Sequence, residues 1–234
     1  MNASPPMKPA DPWRLSPEHW RGLIEAIGQH ATTTVTPDES WVDELYVGLV
    51  AAYSQPHRYY HTIRHLAECL RVFDAVRPHA GYPHEVELAL WFHDVFYNPR
   101  ASDNEARSAR AAADAATLLN LPADAVARIV DLVLATEHRN VPSTADAGLL
   151  IDVDLSILGA DPQRFREYEA DVRREYAHVP EATFNAKRAE ILKSLLARDR
   201  IFVTDALTPL EEPARANLAW SVRKLTRNVA QDKP

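Results

Sequence analysis

Residues 88–99 read LALWFHDVFYNP. An apolar run leads into His93-Asp94, and another apolar stretch follows it. An ionised aspartate is almost never fully buried unless something pairs with it. Left unpaired in an apolar setting, it costs several kcal/mol or takes up a proton. Either this run is less buried than its composition implies, or a cation sits beside it.

The flanks of the run set the fold class. Pro83 opens a helix that carries His93-Asp94 and ends before Pro99. Elsewhere glycine is scarce, with six in the chain, and apolar residues recur at helical spacing rather than alternating. Ser16-Pro17 reads as an N-cap and first-turn proline, followed by Trp20, Leu23, Ile24 and Ile27 on one stripe. Further helices are expected from Pro37 to about Tyr53 and from His61 to about Val76. Ser102-Asp-Asn-Glu105 reads as a capping box that begins the next. Another runs from Pro122 to near His138, and a short buried one over 148–159 is closed by Gly159. Pro162, Pro180 and Pro213 punctuate three more amphipathic helices. The expectation is an all-α chain of about ten helices in one compact unit over 16–228, with tails at 1–15 and 229–234. No linker is long enough to mark a domain boundary.

Composition narrows the function classes. The chain has 234 residues and a net charge of −7, which argues against general binding to extended nucleic acid or anionic membrane. No apolar run approaches the roughly 20 residues that span a bilayer, and the proline-rich start lacks the apolar core of a signal peptide. Cys69 is the single cysteine, so an intrachain disulfide and a thiolate-rich zinc site are both excluded. A reducing, cytoplasmic setting fits. FREYEADVRREY, residues 165–176, is an amphipathic stretch that could serve a partner helix or a homodimer but more often packs on its own core.

Three places break the apolar pattern with the same chemistry: His61-Thr-Ile-Arg-His65, His93-Asp94 and Asp152-Val-Asp154. His61 and His65, four apart, are expected on one helix face. Asp152 and Asp154, two apart, point to nearly opposite sides of a helix, so one of them is expected to face the site. A divalent cation would neutralise all three clusters at once. The ligand set is expected to be nitrogen and oxygen without thiolate, which suits Mn²⁺, Fe²⁺, Co²⁺, Ni²⁺, Mg²⁺ or Zn²⁺.

The order His61, His93-Asp94 and a late aspartate resembles the H…HD…D pattern of HD-domain metal-dependent phosphohydrolases. More narrowly, YYHTIRHL, LALWFHDVFYNP, DNEARSA, ATEHR, LIDVDLSILG and REY resemble a bacterial subfamily of HD phosphohydrolases, over about residues 40–225. The resemblance implies an HD-domain fold with His61, His93, Asp94 and Asp154 as metal ligands, and His65 and Asp152 as alternative or additional ones. It implies that Asp94 also holds the attacking water, whose pKa the ion lowers towards about 7. Arg58 is the expected phosphate-binding cation, with Arg64 and Arg139 behind it. His138 sits where some HD proteins place a histidine for a second metal or the substrate phosphate. Glu105 is a candidate acid–base carboxylate, although its capping-box role already accounts for it. The substrate implied is a small phosphate ester such as a nucleotide. Two other activities fit the same resemblance: a nucleotide- or ligand-binding HD module without turnover, and a two-metal HD-type oxygenase.

Overall fold

A computed structural model describes residues 15–32, 38–139 and 141–231. Every regular element among the described residues is helical, so the chain is all-α. The α-helices are α1 Pro17–Gly28, α2 Glu39–Tyr53, α3 Ile63–Val76, α4 Pro83–Phe92, α5 Asn104–Leu118, α6 Ala123–Ala135 and α7 Ala145–Asp154, followed by α8 Pro162–Glu175, α9 Glu181–Leu196 and α10 Glu211–Gln231. The tail expected over 1–15 lies outside the described residues except for Leu15. At the other end α10 continues to Gln231, past the point at 229 where a tail was expected. Between Pro213 and Pro234 the sequence has no glycine or proline to stop it.

The chain forms two compact units, Met1–Val153 and Asp154–Pro234. The division falls at the last residue of α7, with no linker.

In the first unit, α4 is the central element. Val86, Leu88, Ala89, Leu90, Trp91 and Phe92 are all buried, which marks a helix apolar on every side and enclosed by others. It packs on α1, α3, α5 and α6. The Trp91 indole meets Trp20 of α1 edge to face, with ring centroids 5.1 Å apart. Trp20 in turn donates its Nε1–H to the Val42 carbonyl at 2.9 Å, joining α1 to α2. The N-cap of α1 forms as the sequence implies, with the Ser16 hydroxyl accepting from the His19 amide. The two acidic residues of α4 have cationic partners. Glu85 accepts two hydrogen bonds of 2.7 Å from Arg128 of α6, and Glu87 pairs with His19 and Arg77. Alanines carry much of the α5–α6 contact: Ala109, Ala112, Ala115 and Ala116 are buried along α5.

In the second unit, α9 and α10 pack along each other, and α10 also packs on the 3₁₀ turn Leu155–Gly159. That turn replaces the second half of the single helix expected over 148–159. A Cβ on Gly159 would stand 2.7 Å from Leu210 Cβ and 2.9 Å from its carbonyl oxygen, so only glycine fits this close approach. Asn217 of α10 donates to the carbonyls of Leu158 and Ala160, at 2.9 and 2.8 Å, and so fixes the turn from the other side. Arg188 of α9 donates to the Tyr168 hydroxyl and to Glu169, each at 2.6 Å.

Burial pushes the Glu87 carboxyl up, but the hydrogen bonds from His19 and Arg77 outweigh it and hold the group below its ordinary value of 4.5. A carboxylate whose pKa falls on folding contributes stability above its unfolded pKa, and loses it as pH drops through the folded value. Glu87→Gln is therefore expected to cost about 1–3 kcal/mol at pH 7. The gap to wild type should close as pH is lowered well below 4.5, which thermal unfolding across pH 3–7 measures.

Candidate metal centre

The expected helix over HTIRH begins two residues later than its sequence suggested. Thr62 is the N-cap of α3, with extended backbone (φ −109°, ψ 178°) and its hydroxyl accepting from the Arg64 amide. His61 therefore precedes the helix, and its partnership with His65 does not come from a shared helix face. His65 sits in the first turn of α3 and Cys69 one turn further on, and both are buried.

The HD pair is also placed differently from expectation. α4 stops at Phe92, and His93 is its C-cap in right-handed backbone, with Asp94 in the turn that follows. Tertiary contacts end the helix there. The Tyr53 hydroxyl donates to the Trp91 carbonyl and accepts from the Asp94 amide, each at 3.2 Å. The buried Arg58 guanidinium donates from Nη1 to the Asp94 carbonyl at 2.7 Å and the His61 carbonyl at 3.1 Å, and from Nη2 to the Val95 carbonyl at 2.9 Å. The last carbonyls of a helix need partners: the Trp91 carbonyl takes the Tyr53 hydroxyl and the Leu90 carbonyl the His93 ring, while Arg58 holds the carbonyls of the turn beyond, Asp94 and Val95. It thereby ties the segment carrying His61 to the segment carrying Asp94. Arg58 was the expected phosphate ligand; its guanidinium is instead spent on these backbone oxygens.

The donor atoms of the site converge. His93 Nδ1 lies 2.7 Å from the Leu90 carbonyl. A carbonyl only accepts, so Nδ1 carries the proton, and Nε2 is left facing the site, as in metal-ligating histidines. His93 Nε2 stands 3.1 Å from His65 Nε2 and 3.1 Å from Asp94 Oδ2. Asp94 Oδ2 and His65 Nε2 are 3.6 Å apart. Donors bound at about 2.0–2.3 Å from one ion are separated by about 3.3–3.8 Å in a tetrahedral shell and about 2.8–3.3 Å in an octahedral one. The triangle is thus the size of one face of a coordination shell. His65, Cys69, His93 and Asp154 also form a group whose donor atoms all lie within 4.8 Å of one another. This mixed nitrogen, oxygen and sulphur set fits a divalent metal. Burial pushes the Asp94 carboxyl up, yet His93, His61 and His65 together hold it far below the ordinary carboxylate range.

The remaining sequence-derived candidates lie around or away from this group. His61 is half-buried, stacked on Tyr97 with ring centroids 4.1 Å apart, and its ring stands 5.9 Å from that of His65. It acts on Asp94 through its charge but is not one of the four grouped donors. Asp154, at the end of α7, has its carboxylate in the group, whereas the fully buried Asp152 is outside it. The capping box expected at Ser102 does not form. Asp103 is the N-cap of α5 without a side-chain cap bond, and the Asn104 side chain exchanges two 3.0 Å hydrogen bonds with the backbone of Asn98. Glu105 is half-buried in the first turn of α5. His138 follows α6 in left-handed backbone, with φ 53°. Arg64 and Arg139 are exposed and paired with Glu68 and Glu137. Cys69 is the site residue that was missed. One cysteine excludes a thiolate-rich site, not a single thiolate, and its position four residues after His65 was the available signal.

No protein-family model matches the chain, and no curated protein matches it. No helix among the described residues is long and apolar enough to cross a membrane.

Loss of one ligand should weaken metal binding by more than the roughly 10–100-fold that outer-shell changes cost. His65→Ala and His93→Ala are expected to lose bound metal on dialysis, and His61→Ala to retain it. Elemental analysis of the dialysed proteins, beside circular dichroism to confirm folding, measures the difference.

Proposed function

We propose that this protein is a metal-dependent phosphohydrolase of the HD-domain kind, cleaving a small phosphate ester such as a nucleotide. One observation carries the proposal: in the H…HD…D order of the chain, the donor atoms of His65, His93 and Asp154 lie within 4.8 Å of one another, and Asp94 Oδ2 stands 3.6 and 3.1 Å from the two imidazoles. His65, His93, Asp94 and Asp154 would hold the ion. Once bound, a divalent ion in such a site acidifies water and polarises a phosphoryl oxygen.

The chain's own groups do the rest. Asp94 Oδ2 faces the two imidazoles, which leaves Oδ1 to accept a hydrogen bond from the attacking water. The low pKa of Asp94 suits it to orient that water rather than donate a proton. His93 is locked by Leu90, so its imidazole does not swing as charge builds up. His61, stacked on Tyr97 beside His65, would be the further imidazole available to a phosphoryl oxygen. The Arg58 guanidinium keeps the two ligand-bearing segments in register. Cytoplasmic residence belongs to the same proposal, because a buried thiol beside the site keeps its state best under reducing conditions.

The test is hydrolysis of a panel of phosphate monoesters, diesters and nucleotides by metal-loaded protein, with His93→Ala, Asp94→Asn, Glu105→Gln and His138→Ala as variants. Removing a positioned acid–base or charge-stabilising group costs about 10²–10⁴ in rate. His93→Ala and Asp94→Asn should lose at least the lower end of that range in kcat/KM. Metal bound without turnover of any panel member would replace the proposal with a ligand-binding module. Two ions per chain with consumption of dioxygen would favour an oxygenase.

A further inference from the structure

We propose that Cys69 supplies a thiolate to the metal site, so that the protein selects a borderline ion such as Zn²⁺, Fe²⁺ or Co²⁺ over Mg²⁺. The inference rests on the reading that this cluster binds metal.

Cys69 lies one turn after His65 on α3, and both residues are almost completely buried, at 1% and 2% exposed. Their side chains therefore leave the same face of the helix. Cys69 Sγ is 3.7 Å from His65 Nδ1 and also 3.7 Å from Nε2. Equal distances put the sulphur on the mirror plane of the imidazole, off the direction of either nitrogen lone pair. The contact is therefore not an ordinary directed hydrogen bond. The sulphur's distance from Nε2 alone is close to the roughly 3.6 Å between a sulphur and a nitrogen bound to one ion, and the ring must turn on binding so that only Nε2 keeps that distance. The same sulphur belongs to the group of four donors that lie within 4.8 Å of one another.

The chemistry that follows is specific. On metal binding the Cys69 S–H bond breaks, its proton leaves to solvent and the electron pair forms the sulphur–metal bond, with no change of oxidation state. Thiolate is a soft donor that favours zinc, iron and cobalt, whereas magnesium takes oxygen ligands and sheds water reluctantly. The Asp154 carboxylate and a Cys69 thiolate together balance the charge of a dication.

The experiment uses the full chain stripped with a chelator and titrated with Co²⁺, as wild type, Cys69→Ser and Cys69→Ala. The wild type should develop visible ligand-field bands together with a near-ultraviolet sulphur-to-cobalt charge-transfer band. Both variants should keep the visible bands and lose the charge-transfer band. In competition, Cys69→Ala should weaken Zn²⁺ binding by at least about tenfold and leave Mg²⁺ binding unchanged. Visible bands without charge transfer in the wild type would overturn the thiolate and leave the metal site standing. No cobalt binding at all would overturn both. Because the wild-type spectrum is decisive alone, the test survives if either variant misfolds.

Discussion

A guanidinium in the interior holds the first unit's functional end together. Arg58 is 4% exposed, and its donors reach the carbonyls of His61, Asp94 and Val95. Tyr53 and Tyr97 lie against it, with ring centroids 5.3 and 5.5 Å from the guanidinium carbon. A helix as enclosed as α4 cannot end on bare carbonyls without losing about 1–3 kcal/mol for each unsatisfied group. The Tyr53 hydroxyl and the His93 ring take the Trp91 and Leu90 carbonyls, and Arg58 takes those of the turn that follows, so α4 can end inside the protein. Because it ends at Phe92, the backbone turns at His93-Asp94, and both side chains come to His65 on α3.

The ionisable groups of α4 and its turn separate into two kinds. Glu85 and Glu87 each have cationic partners on other elements, Arg128 for one and His19 with Arg77 for the other. These are structural pairs that let charge sit in an enclosed helix. The Asp94 carboxylate faces imidazoles instead. Imidazoles can hydrogen-bond a carboxylate, whereas a divalent ion compensates its charge directly. The same helix thus holds closed ion pairs along its length and a group suited to a cation at its end. This answers why charge sits inside LALWFHDVFYNP: the run is the wall and the dipeptide is its functional edge.

The all-α class was legible because helices announce themselves through spacing and punctuation. Ser16-Pro17, Pro83 and Pro162 stand at first turns, and Pro122 and Pro180 stand as N-caps, where local chemistry alone sets the boundary. The three chemical clusters were legible because charge in an apolar run is conspicuous. What sequence did not carry was the fine placement within them. Thr62, a good N-cap residue, moves the start of α3 past His61, so His65 and not His61 falls among the grouped donors. The end of α4 and the turn after it depend on Tyr53 and Arg58, far away in sequence, and no local pattern encodes those contacts. Cys69 was hidden by an argument about number: one cysteine looked like evidence against sulphur ligation, when its spacing from His65 was evidence for it.

The central claim is that His65, His93 and Asp94 surround a cation. Anomalous X-ray diffraction from crystals of the protein supplied with excess Zn²⁺ or Mn²⁺ addresses it directly. The account predicts a peak at the metal's absorption edge within about 2.0–2.3 Å of His65 Nε2, His93 Nε2 and an Asp94 oxygen. A map with no peak there, and the three side chains bonded only to one another, would contradict it.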